Sequence, residues 1–150
     1  MNYLFSKKFL NLAIKAEYLK QVRFPDISIE EQKTFIDFAD NMLSLHSTLQ
    51  TKRNRFLHRL QENMPNVKIN STLETFDLFD FTKFITELKK QKVVLSLRQQ
   101  DEWEEYFNDY KKQCNELSAQ IYATDREIDK MVYELYGLTD EEIAIVEGMH

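Results

Sequence analysis

Between Trp103 and Leu135, apolar or small side chains recur in alternating steps of four and three. They are Trp103, Phe107, Tyr110, Cys114, Leu117, Ile121, Thr124, Ile128, Met131 and Leu135. This is the a/d spacing of a coiled-coil helix, and neither Pro nor Gly interrupts it. Such a helix is roughly 50 Å long at 1.5 Å per residue. A globule of this chain's size is nearer ~30 Å across, so the stripe needs a partner of similar length. Phe35, Phe38, Met42, Leu45 and Leu49 repeat the same steps. That second stripe meets Lys52 and resumes, slightly out of phase, at Phe56, Leu57 and Leu60.

Local signals set the ends. Ser28 with Glu31 three residues later forms a capping box, which predicts a first long helix over about 29–62, ending before Pro65. Ser96 with Gln99 starts the second long helix, and Gly137 ends it as a left-handed residue just past the last turn. Between them Leu73, Phe76, Leu78, Phe79, Phe81, Phe84, Ile85 and Leu88 predict one or two short helices across 72–91. Asn70, Ser71 and Thr72 offer caps there, with Glu74 in the box position relative to Ser71. Val93-Val94-Leu95 reads as a short strand or an extended connector. Thr139 with Glu142 caps a last helix, 140–147. Residues 1–21 read as one helix, or as a helix followed by a strand. Val22 to Pro25 reads as extended, because a residue before Pro leaves the α region.

The expectation is an all-α fold in one helical domain, 1–150. It comprises an N-terminal segment and linker (1–27), a first long helix (28–62), a helical tip insertion (63–97), a second long helix (98–136) and a short C-terminal helix (137–150). The long helices form an antiparallel, coiled-coil-like hairpin, with a small helical cap at the tip and short helices at the base. Two Gly and two Pro in the whole chain agree with this, since sheets and tight turns use more. No apolar run approaches the ~20 residues of a membrane span, so the reading is a soluble, cytoplasmic protein with no membrane partner. One cysteine excludes an internal disulfide, and its place on the stripe predicts a buried side chain.

Charge changes the picture. Residues 51–100 carry ten basic and five acidic groups, net +5, whereas residues 101–150 carry four basic and fourteen acidic, net −10. Lys52, Arg53, Arg55 and Arg59 fall near the end of the first long helix. Lys89, Lys90, Lys92 and Arg98 fall near the start of the second. An antiparallel hairpin brings both groups to one tip, where they are candidate contacts for DNA phosphates. The alternative is a solvated face, paired in part with Asp101, Glu102, Glu104 and Glu105. Catalytic motifs are scarce. Two glycines cannot build a phosphate-binding loop. His46, His58 and His150 lack metal-ligand spacing. Asp80, Glu87 and Lys89 resemble the acid-acid-lysine set of metal-dependent nucleases, but no sheet is evident to carry such a site. The reading is no catalytic, cofactor or metal residue in this chain.

Several stretches carry a resemblance, and the C-terminal one is the most specific. Thr124-Asp125-Arg126-Glu127-Ile128-Asp129, Val132-Tyr133-Glu134-Leu135-Tyr136-Gly137-Leu138-Thr139 and Glu141-Glu142-Ile143 resemble the C-terminal signature of bacterial type IIG restriction-modification enzymes with a TaqI-like C-terminal specificity domain. Leu19 to Pro25, followed by Glu31-Gln32, is similar to the junction where a recognition domain meets a spacer helix, in those enzymes and in type I specificity subunits. Glu87 to Lys92 and Asp101 to Phe107 fit the same family. The resemblance implies a noncatalytic spacer or specificity-associated module of an adenine-specific DNA methyltransferase-endonuclease. The partners it implies are the methyltransferase and recognition domains, and DNA through them. S-adenosylmethionine and magnesium would belong to the parent enzyme. This chain has no Pro-Pro to supply the family's target-adenine motif, so it is not an enzyme by itself. The alternatives are a coiled-coil interaction scaffold, self-associating through exposed helix faces, and a nuclease using Asp80, Glu87 and Lys89.

Overall fold

A computed structural model describes residues 27–148. The readings for residues 1–26, and His150, lie outside the described residues. Among the described residues every regular element is helical. They are α1 (Ile29–Asn63), α2 (Ser71–Glu74), a 3₁₀ turn (Phe76–Leu78), α3 (Phe81–Lys90), α4 (Leu97–Tyr136) and α5 (Asp140–Glu147). Val93 to Leu95 forms the extended connector, not a strand.

The expected caps start the helices. The Ser28 hydroxyl accepts from the Glu31 N–H at 3.2 Å, and the Glu31 carboxylate accepts from the Ser28 N–H at 2.9 Å. The Ser28 hydroxyl also donates to that carboxylate, and this bond is the main reason Glu31 titrates below the ordinary carboxylate range. Ser96 and Gln99 make the same reciprocal pair at α4, and Thr139 and Glu142 at α5. At α2 one of the three offered caps is used and the Ser71–Glu74 box is not made. Asn70, not Ser71, opens α2, its side-chain oxygen accepting from the Leu73 N–H at 2.9 Å. With Asn70 as the cap, Ser71 is the first helical residue, and the Glu74 N–H that a Ser71 box would have used bonds the Asn70 carbonyl instead. Gly137, at φ +59°, ends α4 with the Leu138 N–H bonded to Tyr133 O and the Gly137 N–H to Glu134 O. That is the paired bonding of a Schellman end.

The packing divides into two compact units. One is Ala39–Thr124; the other holds the described residues up to Phe38 together with those from Asp125 onward. The main core lies wholly within the first. Leu49, Phe56, Leu57 and Leu60 of α1 meet Phe107, Cys114 and Ile121 of α4, and Leu73, Phe76, Phe84, Leu88 and Leu95 close over them. The contacts run antiparallel: Phe56 faces Trp103 to Tyr110, while the charges of Lys52 and Arg53 act on Cys114 further along α4. The tip elements are tied down by polar bonds as well, such as the Lys111 ammonium donating to the Phe79 carbonyl at 2.8 Å. Among the described residues of the second unit, Tyr133 and Val146 are buried.

Cys114 is fully buried on the stripe. Burial first, and the nearby Asp77 carboxylate second, push its thiol up to about 11. The thiolate is the nucleophile, so native protein at pH 8 should leave a maleimide or disulfide reagent unreacted. Modification should follow only on adding denaturant; prompt labelling of the native chain would refute this burial.

Candidate nucleic-acid interface

The basic residues of the tip come from three places: the end of α1, the end of α3 with the turn after it, and the start of α4. On α1 the register separates them. Leu49, Arg53, Phe56 and Leu60 follow one another in steps of four, three and four, so residue 53 lies on the core stripe. Arg53 is accordingly buried. Its guanidinium clasps both carboxylate oxygens of Asp77, at 2.8 and 2.7 Å, with side-chain exposures of 9% and 0%. This corrects the sequence reading, which counted Arg53 among the phosphate contacts. A guanidinium buried and held by a carboxylate in the core is already neutralised and cannot also meet a phosphate. The apparent phase break at Lys52 has the same cause: the stripe takes two four-residue steps, Leu45 to Leu49 to Arg53, and Lys52 is left half-buried beside it.

The other bases are less encumbered. Arg59 pairs with Glu62 at 2.9 Å and Arg98 with Glu102 at 3.4 Å, both on exposed faces. Arg59 also lies against the Tyr106 hydroxyl. Burial and the neighbouring Tyr110 push that phenol above its ordinary range, against the pull of the guanidinium. A shallow groove runs there between Arg59, Asn63, Glu102, Trp103 and Tyr106. Arg55 is exposed. Of the acidic set expected to neutralise the tip, Glu102 makes the one ion pair to a tip base among the described residues.

At the end of α3 the lysines gather. Lys89 and Lys90 occupy the last turn, and the Lys90 ammonium reaches the buried Glu87 carboxylate at 2.6 Å. Lys92 follows at φ +63°, the only left-handed residue other than glycine among the described residues. It ends α3 in a Schellman arrangement, with the Lys92 N–H bonded to Lys89 O and the Val93 N–H to Leu88 O. Between them Gln91 turns to the loop after α1. Its side-chain oxygen accepts from the Lys68 N–H at 2.7 Å, and its amide donates to the Lys68 carbonyl at 3.0 Å. Lys68 therefore joins Lys89, Lys90 and Lys92. Sequence reading missed it because the clamp spans 23 residues and only the spatial neighbours of Gln91 reveal it.

A left-handed residue with a Cβ costs about 1–2 kcal/mol, and glycine there gives back part of that as chain entropy. Lys92→Gly should therefore raise the unfolding free energy by about 0.5–1 kcal/mol, measured by urea denaturation. A loss of stability would mean that the Lys92 stem packs usefully where it lies.

The nuclease set does not converge. The Asp80 carboxylate caps α3 by accepting from the Lys83 N–H, and Glu87 is held by Lys90. His58 lies 3.6 Å from Glu62 on the surface, and no group of three potential metal ligands occurs among the described residues. No helix among them is long and apolar enough to cross a membrane.

One family model matches residues 28–132: Domain of unknown function (DUF8810). No curated protein and no solved structure matches the chain.

Proposed function

The chain belongs to the DUF8810 family, and we propose that it is a noncatalytic spacer and docking module of a restriction-modification DNA methyltransferase-endonuclease, which holds recognition and catalytic domains in place on DNA. The resemblance of residues 124–143 to the C-terminal signature of those enzymes carries this reading. The basic tip supports it, because exposed bases at one end of a helical pair suit the phosphate backbone. Those bases are Arg55, Arg59, Lys89, Lys90, Lys92 and Arg98, with the half-buried Lys52 beside them. Contacts of this kind position a protein on a duplex without reading sequence.

The test is genetic. An in-frame deletion of residues 28–136 in the source organism, followed by long-read mapping of methylated adenines, should abolish one sequence-specific methylation pattern. Unchanged methylation would overturn the reading. Plasmid DNA given Mg²⁺ and S-adenosylmethionine should remain uncut and unmethylated by the isolated chain.

One observation favours a second reading, a coiled-coil scaffold. Ile29, Ile36 and Leu43 stand exposed at 86%, 59% and 70%, seven residues apart on the face of α1 opposite its core stripe. Self-association that disappears on Ile36→Asp, followed by sedimentation, would support it.

A further inference from the structure

We infer that the DNA contact of this chain is the lysine cluster at the end of α3, comprising Lys68, Lys89, Lys90 and Lys92, and that its ligand is the phosphate backbone of duplex DNA. This rests on the proposed function and relocates its contact away from the α1 arginines.

Two independent observations carry it. The first is assembly. Gln91 spends both ends of its amide on the backbone of Lys68, which brings a fourth lysine to a place that already holds three. Glu87 is the carboxylate that answers them, and it is buried against Lys90. The second is the backbone at Lys92. The negative end of the α3 dipole accounts for Lys89 and Lys90 in the last turn. It accounts neither for Lys68 nor for a lysine at φ +63°, where glycine is the default residue. A strained conformation is retained where it serves a site, and here it holds an exposed lysine at the end of the helix.

The chemistry selects duplex phosphates. Lysine is a flexible point charge suited to single phosphate oxygens. Single strands call for aromatic stacking platforms, and Phe84, the aromatic residue of α3 nearest these lysines in sequence, is buried in the core. A membrane surface calls for an apolar helix face to enter it; the face of α3 with Phe84 and Leu88 is buried in the core, and the exposed Val94 and Leu97 stand on the connector and at the start of α4 rather than along one helix face.

The experiment measures fluorescence anisotropy of a labelled DNA duplex of arbitrary sequence with the full chain, at two salt concentrations about fourfold apart. Each phosphate contact contributes roughly 0.9 to the slope of log affinity against log salt. Lys92→Gly should weaken binding and lower the slope by about 0.9, while the protein becomes more stable. Lys68→Gln should lower the slope by a similar step, and the two together by about 1.8. Lys130→Gln, in the other unit, should leave affinity and slope unchanged. Opposite signs for stability and binding at Lys92 separate a contact from a structural residue. The inference fails if the chain does not bind duplex, or if it binds and only Arg55→Gln alters the slope. It also fails if the lysine variants lose binding to anionic phospholipid vesicles but keep it to DNA. The methylation map reports on the proposed function separately, so either can fail alone.

Discussion

Asp77→Ala is expected to lower the unfolding free energy by about 3–5 kcal/mol, because it leaves an uncompensated charge inside the protein. Arg53 stays at 8% exposure with its bidentate acceptor gone. Its stem is embedded on the core stripe of α1, and reaching water means withdrawing it from the core that surrounds Phe56. The loss should persist at high salt, since a buried pair is little screened. Replacing both partners is a different experiment. Arg53→Met with Asp77→Leu should come within about 1 kcal/mol of the parent or exceed it, because removing both charges removes both desolvation costs. Urea unfolding of the two single variants and the double variant closes the cycle. A cost below about 1 kcal/mol for Asp77→Ala would mean that water reaches the guanidinium and that the tip is held by its apolar contacts alone.

Phe56→Ala should be comparably severe, at about 3–5 kcal/mol. Phe56 is fully buried, and its ring is the hub of the aromatic core. It stacks on Phe76 at 4.0 Å and on Tyr106 at 5.7 Å. Phe84, Phe107 and Tyr110 lie at 5.8–5.9 Å, and Trp103 at 6.2 Å. These rings belong to α1, the 3₁₀ turn, α3 and α4, so no single element can shift to fill the hole. Phe56→Leu should cost less, since it leaves a smaller cavity. The signature beyond stability is a shift in Trp103 fluorescence in the native state. An unchanged emission with a small loss of stability would show that the hub is not shared in this way.

Much of the fold is local information. Ser28 with Glu31, Ser96 with Gln99, and Thr139 with Glu142 bond their own backbones three residues away, so these helix starts can be read from spacing alone. Gly137 marks the end of α4 for a similar reason, as the residue that adopts positive φ at least cost. The long stripes follow from the helical period, and they gave the pairing of α1 with α4. At α2 the sequence offered three adjacent caps, and Asn70 is used rather than the Ser71–Glu74 box, because its side chain accepts from the Leu73 N–H and its carbonyl from the Glu74 N–H.

Non-local partners were hidden. Arg53 looked like one more base in the run Lys52, Arg53, Arg55, because its partner Asp77 is 24 residues on and belongs to a 3₁₀ turn that no periodicity announces. The spacing Leu49, Arg53, Phe56, Leu60 carried the clue, since a charge on a core stripe must find a counter-charge inside. Lys68 lay outside every basic run and joins the cluster only through the Gln91 clamp. Composition and periodicity determined that this chain forms capped helices with a basic middle third. Tertiary packing decided which of those charges are neutralised in the core and which face solvent, because that depends on contacts between residues more than twenty positions apart.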